Sequence, residues 1–127
     1  MDNSNRYKLE DFELYKMARE FRKKVYDLIK RLPKEEIYVL VPQMRRAALS
    51  ISNNIAEGHG RWHFQESIQY CRVSRGSVEE VIDDLNVCLD EKYFDESEII
   101  PLKEESYRLI EKINGYISYL KKQKETL

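Results

Sequence analysis

Residues 64–89 read FQESIQYCRVSRGSVEEVIDDLNVCL, and this stretch decides the fold. Its seam residues recur at alternating steps of four and three, at Phe64, Ile68, Cys71, Arg75, Val78, Ile82, Leu85 and Leu89. Steps of this size keep side chains on one face of an α-helix. The stretch therefore predicts a long amphipathic helix over about residues 62–90, with Arg75 as the one charged residue of its apolar face.

Three more stretches show the same period and predict helices over about residues 11–32, 42–58 and 95–123. Their apolar rows are Leu14, Ala18, Phe21, Val25, Leu28 and Leu32, then Met44, Ala48, Ile51 and Ile55, then Ile99, Leu102, Leu109, Ile113, Tyr116 and Leu120. No alternating strand pattern competes with them, and short links favour antiparallel neighbours. The sequence predicts a single all-α domain over residues 1–127, an antiparallel up-down-up-down four-helix bundle.

Particular residues mark the expected helix ends. Asp11 is a candidate N-cap of the first helix, and Pro33 ends that helix because the residue before a proline avoids helical geometry. Gly58 suits a left-handed cap at the end of the second helix. Asp95 with Glu98 is similar to a capping box at the start of the fourth helix. The helices are therefore expected to stop at short loops.

Other residues carry expectations about packing. Pro101 leaves two alternatives: the fourth helix starts late with Ser97 as its cap, or its first turns are kinked. Gly76 and Gly115 are expected to let another backbone come close. The apolar connector over residues 34–41 is expected to pack over one end of the bundle.

Composition excludes several classes of protein. The chain has 127 residues, of which 42% are apolar and 35% charged, too apolar for disorder and too charged for a membrane protein. No apolar run approaches the roughly 20 residues that span a bilayer. The start, Met1–Arg6, has no apolar signal region. We expect a cytoplasmic protein with no membrane partner, in which Cys71 and Cys88 are reduced, buried thiols.

Charge is unevenly spread along the chain, although the total is −1. Residues 6–34 hold ten Lys and Arg against five Asp and Glu. Residues 79–105 hold eleven acids against two bases, and residues 106–127 hold five bases against two acids. The near-neutral total argues against a general nucleic-acid coat, but it permits a basic patch beside an acidic one.

Three motifs resemble those of a known family. Residues 43–58 read QMRRAALSISNNIAEG, residues 75–80 read RGSVEE, and the opening FELYKMA at residues 12–18 is similar in type. They are similar to the patterns of the 23S rRNA-intervening-sequence proteins, four-helix bundles named for insertions in bacterial ribosomal RNA. The likeness runs from about residue 10 to 121, and Ser52 stands where that family usually has proline.

The resemblance implies a homopentamer, with bundles arranged as a ring around a central channel. It also implies distant kinship with the accessory variability proteins of diversity-generating retroelements, which bind nucleic acid and a reverse transcriptase. Those relatives are strongly basic, whereas this chain is not. Self-assembly is therefore the favoured expectation, and nucleic-acid binding is the alternative.

The strongest motifs contribute six candidate site residues: Arg45, Arg46, Asn54, Glu57, Arg75 and Glu80. Arg75 faces the core by period, and a buried guanidinium needs a carboxylate partner. We therefore expect a buried ion pair between Arg75 and Glu57 or Glu80. Two interpretations stay open: a structural network that fixes helix register or a subunit interface, or a surface that contacts a ligand or nucleic acid.

A second candidate set could contact nucleic acid. It comprises Arg45, Arg46, Arg61, Arg72 and Trp62, with Lys23, Lys24, Phe64 and Tyr70 as further members. Cationic side chains would meet phosphates, and aromatic rings would stack on unpaired bases. Aromatic residues at helix ends also serve as core or interface residues, so both interpretations stay open.

Signals for a metal or for catalysis are weak. His59 and His63 are four residues apart, with Glu66 three further on, but Gly58 and Gly60 interrupt the predicted helix beside them. No nucleophile motif, phosphate loop or dinucleotide fingerprint is present. The acid pairs over residues 79–80 and 83–84 are expected to face outward into solvent. We predict no metal, no cofactor and no enzymatic activity.

The function favoured by these observations is a self-assembling interaction or scaffold protein without enzymatic activity. Side chains that fall off the apolar rows are interface candidates: Tyr15, Tyr26, Tyr70, Val73, Tyr107 and Tyr119. Tyrosine is favoured at protein interfaces, and the chain has nine. The alternative is an RNA- or DNA-binding accessory factor that works with a polymerase-type protein partner.

Overall fold

The computed structural model describes residues 8–126, and its regular structure is entirely helical over that range. The four long helices are α1 (Glu13–Ile29), α2 (Leu40–His59), α3 (Phe64–Asp90) and α4 (Glu96–Glu125). Two short 3-10 turns, Leu9–Asp11 and Lys34–Glu36, precede α1 and α2. The all-α four-helix bundle is confirmed. The expectation about a signal region falls on residues that lie outside the described range.

Bonds between helices show that neighbours run antiparallel. On α2 and α3, Ser77 bonds Ser50 while Ser67 bonds the carbonyl of Gly58, so numbers rise on one helix as they fall on the other. The same order joins α1 and α4, where Lys24 pairs with Glu105 at 2.7 Å and Arg31 pairs with Glu98 at 2.9 Å. Each helix therefore packs on two neighbours, with α2 on α3 as the most extensive contact and α1 on α4 as the least.

The core consists of the four apolar rows meeting along the bundle axis. Its largest fully buried side chains are Phe21, Met44, Ile51, Ile55, Ile68, Leu85, Ile99, Leu109 and Ile113. Each such side chain stabilises the fold by about 1.5–3 kcal/mol relative to full exposure. No helix within residues 8–126 is long and apolar enough to cross a bilayer.

The helix ends differ from the expectations. Phe12 occupies the N-cap position of α1 while Asp11 lies in the preceding 3-10 turn, and Asp95 caps α4 by position without a side-chain bond. The residue in the left-handed region is Lys92, at a φ of 59°. The amide of Tyr93 donates to the carbonyl of Cys88 at 2.9 Å, which completes a Schellman motif at the end of α3.

The glycines also act differently from the expectation. Gly58 lies inside α2 and has no positive φ. Glycine suits this position because α3 comes so close there that no side chain fits easily. A Cβ on Gly58 would lie 3.2 Å from the Cβ of Tyr70 and 3.3 Å from the carbonyl oxygen of Ser67. The predictions for Gly76 and Gly115 are wrong, since nothing lies within 4 Å of a Cβ built at either position.

Pro101 and the first connector complete the corrections. The fourth helix already begins at Glu96, so Pro101 lies inside it and the late start at Ser97 is wrong. The connector does not cover the bundle end: Ile37, Tyr38 and Val39 are 54%, 88% and 64% exposed. Tyr93, just after the end of α3, donates to Glu36 at 2.5 Å and so fixes the 3-10 turn that precedes the tripeptide. The fixed turn holds the tripeptide outward.

Candidate functional site

Most of the polar motif residues lie along the surface groove that follows the line of contact between α2 and α3, where Gln43 bonds Asp84 and Ser77 bonds Ser50. On α2 the groove residues are Gln43, Arg46, Ser50, Asn54 and Glu57, and opposite them on α3 are Tyr70, Val73, Ser77, Glu80 and Asp84. Within each set the residues are three or four apart, which places them on one helix face. The two motifs that are far apart in sequence therefore border the same groove, which we name the α2–α3 groove.

Asp84 is the exceptional residue of this groove. Its side chain is fully buried, and its Oδ1 accepts a hydrogen bond from Nε2 of Gln43 at 2.7 Å. Its Oδ2 has no hydrogen-bond partner among residues 8–126. Burial, with Asp83 and Glu80 adding to it, raises the pKa of Asp84 to about 6, while Gln43 and Arg46 oppose the shift.

The expectation that Asp84 faces outward is therefore wrong, although its neighbour Asp83 is exposed. Asp84 lies seven residues after Ser77, and both turn toward α2. This seven-residue spacing was the feature of the sequence that could have indicated the burial of Asp84. A prediction from apolar spacing alone misses it, because that method assigns every acid to the solvent side.

Arg75 does not form the expected buried ion pair. It is half-buried at the edge between α3 and α4, and its guanidinium donates to Oδ1 of Asn114 at 2.6 Å. Glu57 and Glu80 border the α2–α3 groove instead, on another side of α3. Arginine has a long aliphatic stem, so the charged end of Arg75 can reach Asn114 at the edge of the helix pair although its position lies on the seam.

Serine side chains tie α3 to α2, a contact that the apolar spacing of the two helices did not indicate. Ser74 donates to the carbonyl of Ile51 at 2.8 Å, and Ser67 donates to the carbonyl of Gly58 at 2.8 Å. Both serines are buried. Asn54, a predicted site residue, donates to the carbonyl of Ser50 at 2.8 Å, so its amide is engaged within α2. Small side chains that bond across the contact allow the two helices to come close.

The predicted nucleic-acid set divides into separate groups. Arg45 lies over the ring of Tyr26 at 4.5 Å, near the start of α2. Arg61 lies beyond the other end of α2, roughly 24 Å away along the axis at 1.5 Å per residue. There it donates to Oε2 of Glu57 at 3.2 Å and to the hydroxyl of Tyr70 at 3.0 Å. Trp62, beside Arg61, is 53% exposed.

The remaining members of that set lie elsewhere. Arg46 is exposed on α2 near Asp84, and Arg72 on α3 donates to Gln69 at 2.6 Å. Lys23 pairs with Glu20 on α1, and Lys24 pairs with Glu105 on α4. Phe64 is half-buried against the core. The structure therefore does not gather the set into one patch.

The histidines and cysteines were the remaining candidates for metal or redox chemistry. Within the described range, no three His, Cys, Asp or Glu side chains cluster closely enough to hold a metal ion. The ring of His59 lies 5.1 Å from the ring of Phe12, and His63 lies outside the helices. Burial raises the pKa of both Cys71 and Cys88 to about 11, so each thiol stays protonated and unreactive at neutral pH.

A second concavity, of about 310 Å³, lies between α1 and α4. Met17, Phe21 and Leu109 form its apolar part, and charged residues including Glu105 and Arg108 border it.

Comparison with known proteins agrees with this geometry. The family model described as 23S rRNA-intervening sequence protein matches residues 10–115. A solved crystal structure of a protein of unknown function from the S23 ribosomal protein family of Bacteroides thetaiotaomicron is similar in fold, with a TM-score of 0.77. It shares 18% identity, and the match covers 82% of this chain and 97% of that one. No curated protein sequence matches. With the family match covering α1 to α3, most of α4 and both motifs of the α2–α3 groove, the chain belongs to the 23S rRNA-intervening sequence protein family.

Proposed function

We propose that this protein is a cytoplasmic interaction protein without enzymatic activity, which assembles with copies of itself. The observation that carries the proposal is the exposed apolar tripeptide Ile37–Val39. The family resemblance suggests five copies in a ring, and a cyclic assembly of identical chains would suit a scaffold.

The tripeptide is unusual because it is both apolar and held in place. The amide of Val39 donates to the carbonyl of Glu36 at 3.2 Å, and Tyr93 holds Glu36 from the end of α3. Scattered single apolar residues are normal on a surface, but a contiguous fixed group is typical of an interaction site. Tyrosine beside aliphatic residues also matches the composition of interface cores.

The interface candidates named from the sequence support the proposal in part. Val73, Tyr107 and Tyr119 are exposed, as an interface residue of the isolated chain should be. Tyr15 and Tyr26 are half-buried against the core and offer less surface to a partner.

Light scattering on the purified chain at micromolar concentration tests self-assembly. We expect a mass that is a multiple of the monomer's, and we expect Tyr38→Ser combined with Val39→Ser to shift the chain toward monomer. The control is Leu49→Ser, which removes an exposed apolar side chain of α2 that is not among the interface candidates. A monomeric wild-type chain would refute the proposal.

Nucleic-acid binding is the second candidate, and the exposed Trp62 beside Arg61 favours it. Trp62 is the only tryptophan, so its fluorescence reports directly on a base stacking there. If the candidate is correct, RNA or single-stranded DNA should quench Trp62 at about 50 mM salt and progressively less as salt rises, because phosphate contacts weaken with salt. Arg61→Ala should weaken the quenching, with Arg108→Ala as the control. Absence of both quenching and retention on a filter at low salt would exclude it.

A further inference from the structure

The C-terminal half of α3 presents an acidic face whose carboxylates form no ion pair within the described residues. Residues 79–91 include six acids and no lysine or arginine: Glu79, Glu80, Asp83, Asp84, Asp90 and Glu91. None of the six takes part in an ion pair within residues 8–126, although the nearby charge of Arg46 partly opposes the rise in the pKa of Asp84. The helix dipole adds further negative potential at this end of α3. We name these residues the acidic face.

Asp84 gives this face a specific, unfilled binding feature. Its side chain is wholly buried at the border of the face, and Gln43 satisfies only one of its two oxygens. Buried polar atoms in folded proteins are nearly always hydrogen-bonded, and an ionised buried carboxylate needs a charged partner. Gln43, which bonds Oδ1, is itself exposed, so the carboxyl group lies near the surface, and a donor from outside would reach Oδ2 once the side chains that cover it move aside.

The helix α1 has a net charge of the opposite sign, since residues 13–31 hold seven lysines and arginines against three acids. Four exposed cations, Lys16, Arg19, Lys23 and Lys30, lie along its outer surface together with the three acids, and we name this surface the basic face. Three of these cations pair with acids of α1 itself, but such exposed pairs contribute little free energy and are easily exchanged.

The fold prevents the two faces from meeting within one chain. Both α1 and α3 pack on α2 and α4 and share no extended contact with each other, so they lie on the diagonal of the bundle. Their outer faces therefore point to opposite sides of the molecule. A contact between opposite sides of identical chains is heterologous, and its repetition gives a ring when the rotation closes.

We infer that the acidic face of α3 docks on the basic face of α1 of a second copy, where a lysine or arginine bonds Oδ2 of Asp84. The inference rests on the proposed self-assembly and names the surfaces that carry it. The apolar tripeptide Ile37–Val39 lies at the same end of the bundle, tied there by Glu36 and Tyr93. An apolar centre bordered by complementary charge is the usual composition of a specific interface. A phosphate backbone, in contrast, would be repelled by this face.

A charge-exchange experiment tests the pairing. One variant carries Glu80→Lys and Asp83→Lys, a second carries Arg19→Glu and Lys23→Glu, and a third carries all four substitutions. Each of the first two should weaken assembly by about tenfold or more in analytical ultracentrifugation, because like charges then oppose each other. The third variant should regain assembly, since both faces are reversed together.

The controls separate this inference from the proposed function. All four positions are exposed, so folding should survive, and circular dichroism checks it. Glu111→Lys, on the exposed side of α4, should leave assembly unchanged. A monomeric wild type refutes self-assembly and the inference with it. If the wild type assembles and all three variants assemble equally well, the inference alone is refuted. The same holds if the wild type assembles but the third variant stays monomeric.

Asp84→Asn supplies a second readout that a purely structural role would not give. The amide keeps the shape of the side chain but cannot attract a cation as a carboxylate does. The variant should therefore assemble about tenfold more weakly while the single chain becomes more stable to urea. Equal or stronger assembly of Asp84→Asn would contradict the bond to Oδ2.

Discussion

At the residue scale, Asp84 is the feature that most needs an explanation. A fully buried carboxylate with one unsatisfied oxygen destabilises a monomer, and an uncharged residue of similar shape would fit the same space. Its neighbours increase the cost, since Asp83 and Glu80 are both negative. The docking contact that we propose would supply the partner that Oδ2 of Asp84 lacks within residues 8–126.

The raised pKa of Asp84 gives a prediction about stability and pH. The folded state holds the proton with a pKa of about 6, against an ordinary value of 3.8, so between these values the folded state binds more protons than the unfolded state. The contribution of Asp84 to stability is therefore lost as pH rises from about 4 to about 7. The full shift corresponds to an upper limit of about 3 kcal/mol.

Urea unfolding of the dilute, monomeric chain across this pH range checks the prediction. Asp84→Asn should be more stable than wild type by about 1–3 kcal/mol at pH 7.5, and the difference should shrink toward zero near pH 4. Comparing the two proteins removes the contribution of the other carboxylates. Asp83→Asn, at the exposed neighbour, should show little difference at either pH. A pH-independent difference for Asp84→Asn would contradict the assignment.

At the element scale, the close approach of α2 and α3 organises the bundle. Small residues on α2 and buried serines on α3 replace the bulky side chains that usually separate helices. Serine hydroxyls then reach carbonyls of the neighbouring helix, as Ser74 does at Ile51. Each such bond contributes about 1 kcal/mol, and together they fix which residues face each other across the groove.

Two glycine-to-alanine substitutions test this contact as a matched pair. Gly58→Ala should destabilise the chain by about 1 kcal/mol, because the new Cβ meets the Cβ of Tyr70 and the backbone of Ser67 on a helix that cannot easily shift. Gly76→Ala should stabilise the chain by about 1 kcal/mol, because its Cβ meets only open space and alanine favours the helix. Thermal unfolding of both variants measures the difference. Equal shifts of the same sign in the unfolding temperature would show that α3 does not crowd a side chain at position 58.

At the scale of the whole molecule, charge and exposed apolar surface are both unevenly distributed. The acidic face and the tripeptide Ile37–Val39 share one end of the bundle, while the basic face lies on the diagonal helix. A net charge of −1 conceals this arrangement, since opposite regions cancel in the total. The molecule therefore presents regions of opposite net charge on different sides, and this is the basis of the head-to-tail contact that we propose between copies.

Much of the fold could be predicted from single residues and their spacing. The apolar rows identified all four helices, and short links implied antiparallel neighbours. The helix ends were less predictable: Asp11 looked like a cap by residue type, but Phe12 occupies that position. End geometry depends on where the chain must turn to reach the next helix, which local residue preference does not specify.

The candidate site was predictable only in part. The motifs of residues 43–58 and 75–80 indicated that their polar residues matter, and most of these border one groove. The partners were wrong: Arg75 was expected to pair with Glu57 or Glu80 and instead bonds Asn114 of α4. Helical period gives the direction in which a residue points, but it does not give which neighbour lies opposite it.

The sequence by itself determined the fold class and the family of this protein, because heptad spacing and a long motif are local properties of the chain. Only the tertiary structure decided that Asp84 is buried, that Gly58 is a contact point and that Ile37–Val39 is exposed. Each of these depends on how closely two distant segments approach and on the register between them. Burial of apolar area favours formation of the bundle, but it has no preferred direction and does not decide which residues of two helices face each other. That register comes from side-chain packing and hydrogen bonds, which exist only after the helices meet.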